Sequence, residues 1–224
     1  MSPLRQFLSS SIGTKILIAL TGLAFFGYLL IHLAGNLLIF VGGEAFNAYA
    51  HKMTGNALLP IIEIGLAAII LLHVYKAVVN FFGNSKARPA RYREKHWAHH
   101  TSRKTLSSTT MIVTGSIIFV FTVLHVLQFR LGVYYEEPGT QYRDLYRVVR
   151  ELFANPIWVA FYVVVMGLVG MHLRHGLASA FQSLGLEHPR YSKLVRIIGF
   201  WVAIVIAGGF AVIPIWIYLT GGRS

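Results

Sequence analysis

Five apolar stretches, at about 15–41, 58–82, 106–131, 156–182 and 194–220, decide what this chain can fold into. Each exceeds the roughly 20 residues that carry an α-helix across a bilayer. Hydrocarbon offers backbone amides no partner, so such stretches are helices that satisfy their own hydrogen bonds. Hydrophobic residues make up 55% of the chain and charged ones only 12%, with a mean hydropathy of +0.61. A water-soluble domain of this size seldom has such a balance. The expected fold class is therefore an all-α integral membrane protein, a five-helix transmembrane bundle filling one domain, 1–224. A basic loop spans 83–105. A second loop, 132–155, opens on Tyr134-Tyr135-Glu136-Glu137-Pro138 and is expected to contain a surface helix. The first stretch is too long for a signal-peptide core and has no evident cleavage site, so it is expected to be retained. No internal repeat or low-complexity segment is evident.

The charges orient the bundle. Fourteen of the 20 Lys and Arg residues fall on the N-terminal flank and in the loops after the second and fourth stretches, together with two acids. The other side holds six basic residues and six acids, so the split is +12 against 0. Cytoplasmic flanks carry the basic excess, which places the N-terminus in the cytoplasm and the C-terminus outside.

His32, His73, His125 and His172 each lie inside a different one of the first four stretches. An ionisable group at membrane depth faces a bundle interior, a partner or a cofactor. At about 1.5 Å per residue, His32 and His125 lie roughly 25–29 Å from the cytoplasmic ends of their helices. His73 and His172 lie only about 14 Å in. The chain thus supplies two pairs, offset by about 12 Å along the membrane normal, and a bis-histidine heme needs two imidazoles at one depth on facing helices. Two stacked hemes b, an outer one on His32 and His125 and an inner one on His73 and His172, would carry electrons across the bilayer. The competing reading makes each histidine a packing residue or a proton relay. Gly35 and Gly176, three and four residues after His32 and His172, leave room on the same helix faces for a flat macrocycle.

Two segments then carry a family resemblance. One reads His32-Leu33-Ala34-Gly35-Asn36-Leu37 followed by Phe46-Asn47-Ala48-Tyr49-Ala50-His51. The other reads His172-Leu173-Arg174-His175-Gly176-Leu177 through Phe181-Gln182-Ser183-Leu184-Gly185. Over nearly its whole length the chain resembles the single-chain, five-helix, diheme cytochrome b anchor of succinate dehydrogenase and fumarate reductase, respiratory complex II. The resemblance implies the same ligand pairing that the depths give. It also implies partners, a flavoprotein (FAD) subunit that oxidises succinate and an iron–sulfur subunit that passes electrons to this anchor. The anchor then reduces a membrane quinone, menaquinone first and ubiquinone second, in a respiratory chain linked to the tricarboxylic acid cycle. The same machinery can reduce fumarate. The implied location is the inner membrane of a prokaryote, and a higher oligomer of the complex is compatible with it. Some members carry a glutamate two residues before the fourth-helix ligand, linked to a proton path; this chain has Gly170 there, so no such path is expected.

The chain has no cysteine, which excludes a thiolate-bound iron–sulfur cluster and covalent c-type heme, and it has no nucleotide-binding glycine loop. Electrons therefore enter from another subunit. The basic loop, with Tyr92, His96, Trp97, His99 and His100, is either a docking face for the iron–sulfur subunit or a lipid-headgroup collar. Nucleic acid is a poor partner for a segment pinned between membrane helices. Without cysteine or carboxylates beside them, His96, His99 and His100 are poor metal ligands.

Further candidates surround the proposed hemes. His175 is an alternative to His172 as ligand. Arg174, His175, Lys193 and Arg196 are candidates for inner-heme propionates and Arg130 for the outer heme, against snorkelling to lipid phosphates. Glu63 is the only carboxylate inside an apolar stretch. It is either a quinone-linked proton group or a plain charge near a helix N-terminus, favoured by the dipole. His51, Asn36 and Tyr49 are further outer-side quinone candidates. Rival classes are the diheme cytochrome b of a hydrogenase or formate dehydrogenase, a heme-free membrane transporter, and a purely structural anchor.

Overall fold

The computed structural model describes residues 2–86, 110–140 and 142–221. Most of the basic loop, with Tyr92, His96, Trp97, His99 and His100, and the start of the third expected stretch lie outside them. Among the described residues the fold is all helical, and strand-like pairing is limited to a single bridge between Glu136 and Arg143. Five helices are long and apolar enough to cross a membrane, at Ser11–Phe40, Leu59–Asn84, Met111–Arg130, Pro156–Ser183 and Ser192–Thr220.

The chain starts with a short helix α1 (Pro3–Ser9) and turns at Ser10 into α2 (Ser11–Asn36). Ser10 makes that corner because its hydroxyl accepts the Gly13 N–H at 3.0 Å, satisfying an orphan donor of the first turn. A tighter 3₁₀ turn, Leu37–Phe40, leads through Gly42, whose φ of +136° suits glycine, into α3 (Gly43–Thr54). Next come α4 (Leu59–Lys86) and α5 (Met111–His125). Just after His125 the backbone widens into π turns over Val126–Arg130. Arg143 closes the widened end by donating to the Phe129 and Val133 carbonyls at 2.7 and 2.6 Å.

The surface helix expected within 132–155 is α6 (Leu145–Phe153), capped by Asp144, whose carboxylate accepts the Arg147 N–H at 2.9 Å. Asn155 and Pro156 then start α7 (Pro156–Ser183); the Asn155 side chain accepts the Ile157 N–H, and Pro156 sits where its missing N–H costs nothing. The last helix, α8 (Ser192–Thr220), ends at Gly221 in the left-handed conformation.

Helices α2, α4, α5 and α7 each pack against the next, closing a four-membered ring, and α8 lies along α7 and the back of α2. Where α8 meets α7, Gly170 faces Ala207: a Cβ on it would come 3.0 Å from the Ala207 methyl. The buried core gathers at one end of the ring, where α3 and α6 lie across the helix ends, and includes Ile39, Phe46, Phe121, Tyr146, Phe153, Tyr162 and Ile217. That end is the capped end; the other is the basic end. By contrast, α4 has no fully buried residue in its most apolar window.

Candidate functional site

The ring surrounds a partly open cavity of about 3000 Å³, lined by His32, His73, His125, His172 and His175. Drug-sized sites rarely exceed about 1,000 Å³. The volume admits more than one large cofactor.

Near the capped end, His32 of α2 and His125 of α5 face each other with ring centres 5.9 Å apart, edge to face. Two imidazoles that each hold one metal ion from opposite sides at about 2 Å have ring centres on the order of 6 Å apart. The separation of the two rings is therefore the size that a shared metal needs. Aromatic rings close the surroundings: Tyr28 stacks on His32 at 5.3 Å, and Phe121 and Phe129 flank His125 at 5.6 and 5.1 Å. The Tyr162 hydroxyl donates to Gln128 Oε1 at 2.6 Å and lies 3.5 Å from His125 Nδ1. Asn36 donates to the His32 carbonyl at 2.8 Å, and its amide lies about equally far from both ring nitrogens of His32, at 3.4 Å from Nδ1 and 3.5 Å from Nε2.

Deeper towards the basic end, His73 of α4 and His172 of α7 are held in one and the same way. The Thr21 hydroxyl lies 2.9 Å from His73 Nδ1, and the Thr114 hydroxyl 3.2 Å from His172 Nδ1. Beside each threonine is a glycine, and a Cβ on Gly22 or Gly115 would come 3.3 Å from the Cε1 of the same histidine ring. A signal for this lies in the sequence: Thr21-Gly22 precedes His32 by eleven residues, and Thr114-Gly115 precedes His125 by eleven. Eleven residues are close to three full turns, so α2 and α5 each present a Thr-Gly step and a histidine on one face, about 16 Å apart.

Other candidates divide clearly. His175 lines the cavity, whereas Arg174 is exposed and sits over the Phe200 ring at 5.2 Å. Arg196 lies 3.7 Å from Glu187, and Lys193 is exposed. Glu63 and Arg130 both border the capped end of the cavity and pair with each other; Arg130 Nε donates to Glu63 Oε1 at 2.6 Å. Glu63 is thus one side of an ion pair between α4 and the π turns that follow α5, rather than a charge answered only by its own helix. His51 stacks on Tyr142 at 3.7 Å, at the exposed surface of the cap. Gly176 lines the cavity with open space above it, but the notch over Gly35 is filled by Tyr49, whose Cε1 would lie 2.5 Å from a Cβ there. Gly35 therefore admits Tyr49, and the room for a flat group lies elsewhere on the helix.

On the outer surface of the cap, Arg147 donates to Glu151 Oε1 and Tyr135 donates to Glu151 Oε2, both at 2.8 Å. Those two bonds hold the Glu151 carboxyl below its ordinary range, and they raise Arg147 and Tyr135. Burial, with Arg130 nearby, lowers Arg143.

No family model matches the chain, and neither a curated protein nor a solved structure matches it.

Proposed function

We propose that this chain is the diheme cytochrome b anchor of a succinate:quinone oxidoreductase, seated in the inner membrane of a prokaryote with its basic end in the cytoplasm. The observation that carries the reading is the facing of His32 and His125 at 5.9 Å across a cavity that also takes in His73 and His172. Among the described residues no three His, Cys, Asp or Glu side chains form a cluster fit to hold a metal by themselves. Pairs of histidine suit an iron whose remaining positions are filled by a macrocycle. Heme supplies reversible one-electron transfer when bound. His32 and His125 hold the outer heme, and His73 and His172 hold the inner one. His172 is preferred to His175 because its Nδ1 is already engaged by Thr114 and its Nε2 remains for the iron.

The protein's part is to fix the imidazoles, exclude water and set an entry side. Tyr28, Phe121, Phe129 and Phe210 wall off the outer pair. The basic end, nearest the inner pair, receives electrons from an iron–sulfur subunit that is itself reduced by a flavoprotein. Glu63 and Arg130 stand at the capped end of the cavity, where a quinone carbonyl can meet a charged donor and a proton acceptor.

A dithionite-reduced minus oxidised spectrum with a pyridine hemochrome count tests the reading. About two hemes b per chain, with different components lost in His32→Ala and His73→Ala, are expected. A colourless protein refutes it and returns the histidines to proton relay or packing. Copurification with subunits that carry flavin and iron–sulfur clusters, with succinate-dependent quinone reduction, separates the complex II reading from the hydrogenase and formate dehydrogenase types.

A further inference from the structure

The Thr-Gly steps do more than accompany the ligands, and their role rests on the two-heme reading. A threonine hydroxyl has one proton. In Thr21 it is directed at the Leu17 carbonyl, 2.6 Å away, with the Ile18 carbonyl at 3.1 Å. In Thr114 the carbonyls of Thr110 and Met111 take that place, at 3.1 and 3.2 Å. A hydroxyl whose proton stays on its own helix can only accept from the neighbouring imidazole; the short Leu17 contact favours that at Thr21, and at Thr114, where the carbonyls and His172 Nδ1 are equally distant, the same role rests on the likeness of the two seats. That requires a proton on Nδ1 of His73 and of His172. It leaves the Nε2 lone pair of each for a metal, the arrangement in which a partner on the far nitrogen fixes tautomer and ring orientation. The glycine beside each threonine supplies clearance, since a methyl there would crowd Cε1 of the ring at 3.3 Å.

We infer that Thr21-Gly22 and Thr114-Gly115 are positioning residues for the inner heme: each seats the ligand of the next transmembrane helix, fixes it as the Nδ1–H tautomer and tunes the donor strength of its Nε2. The four inner helices are then two copies of one device. In one, α2 carries its own outer ligand and, three turns away, the seat of the inner ligand on α4; in the other, α5 does the same for α7. The outer ligands have looser backing, with Tyr162 at 3.5 Å from His125 and the Asn36 amide at 3.4 Å from His32. Hydroxyl acceptance makes the inner imidazoles better electron donors, so the inner heme's potential depends on these threonines and the outer heme's does not.

The test compares Thr21→Val with Thr21→Ser, and Thr114→Val with Thr114→Ser, in the whole complex, by redox titration of resolved heme components and low-temperature electron paramagnetic resonance. Each Val variant is expected to move the inner component alone to a more positive potential and to weaken inner-heme retention by roughly ten- to a hundredfold. Each Ser variant, which keeps the hydroxyl, is expected to stay near wild type. Loss of the inner heme in the Val variants with retention in the Ser variants supports the same conclusion. Thr122→Val is the control, because the Thr122 hydroxyl donates only to its own helix, to Ile118 at 2.8 Å. Val variants that leave the inner component unmoved, Ser variants that behave as Val, or an equal shift in Thr122→Val overturn the inference while two hemes remain bound. A wild-type protein without heme instead ends the two-heme reading itself.

Discussion

Replacing Asn47 by alanine tests whether the cap over the outer histidine pair is held by one buried side chain. Asn47 is 2% exposed on α3, and its partners lie almost a hundred residues away on α6 and its cap. Its amide donates to Asp144 Oδ1 at 2.9 Å, and its carbonyl accepts the Tyr146 N–H at 2.9 Å. A hydrogen bond to a charged group contributes about 1.5–3 kcal/mol and a neutral one about 0.5–1.5 kcal/mol. Truncation also takes away the acceptor of a buried N–H, so about 3 kcal/mol is expected to go from the docking of α3 on α6. That corresponds to amide exchange in Val148–Phe153 about a hundredfold faster when exchange proceeds through opening of the cap. The assay is hydrogen exchange of the protein in detergent, read by mass spectrometry on peptides covering α6 and, as reference, α8. Pairing Asn47→Ala with Asp144→Ala in a double-mutant cycle isolates the bond between them, with a coupling of about 1.5–3 kcal/mol expected. The consequence for function is water at the outer pair, since Tyr49 of α3 and Val149 and Phe153 of α6 line the same cavity. An acceleration below about threefold in α6, or a coupling below about 0.5 kcal/mol, would show that apolar contacts alone hold the cap.

Gly35→Ala forces the Tyr49 ring out of its notch and is expected to cost about 1–3 kcal/mol by overpacking; a thermal unfolding midpoint unchanged from wild type would contradict the close approach of Tyr49. The Glu63–Arg130 pair is nearly half exposed, at 39% and 48%, so Glu63→Gln is expected to change stability by no more than about 1 kcal/mol; if it lowers quinone turnover much more than the melting temperature, the pair acts in chemistry rather than packing. Glu151 has a folded-state carboxyl held below its ordinary 4.5, so the stability it adds to the cap is fully present above that value and is lost as pH falls through the lower folded one. Protease resistance of the cap is therefore expected to be flat from neutral pH to about 4.5 and to fall below it, with a smaller fall in Glu151→Gln; identical profiles for the two proteins would contradict the assignment.

Part of the site is legible in the sequence. The histidine levels come from counting along helices, because rise per residue is nearly constant. The meeting of His32 and His125 is in reach of that count. The eleven-residue Thr-Gly to His spacing, present twice, is also readable, but its meaning is not, since Thr21 and Thr114 act on histidines 52 and 58 residues further along. The helix α3 escapes the hydropathy pattern: Gly43–Thr54 mixes polar and small residues and lies across the bundle end rather than through it.

Hydrophobic length determined five helices long and apolar enough to cross a membrane, and the helical rise determined how far along them their histidines lie. Both are properties of a segment by itself, since a bilayer acts on each stretch independently and a helix satisfies its own backbone. Tertiary structure alone decided which side chain fills which gap. Tyr49 takes the notch over Gly35, Arg130 answers Glu63, Asn47 joins α3 to α6, and a threonine hydroxyl on one helix comes within hydrogen-bond distance of a histidine on the next. These depend on how helices are rotated about their own axes and which neighbours they meet. A shift of one residue turns a helix face by about 100°, so only the packed bundle determines them.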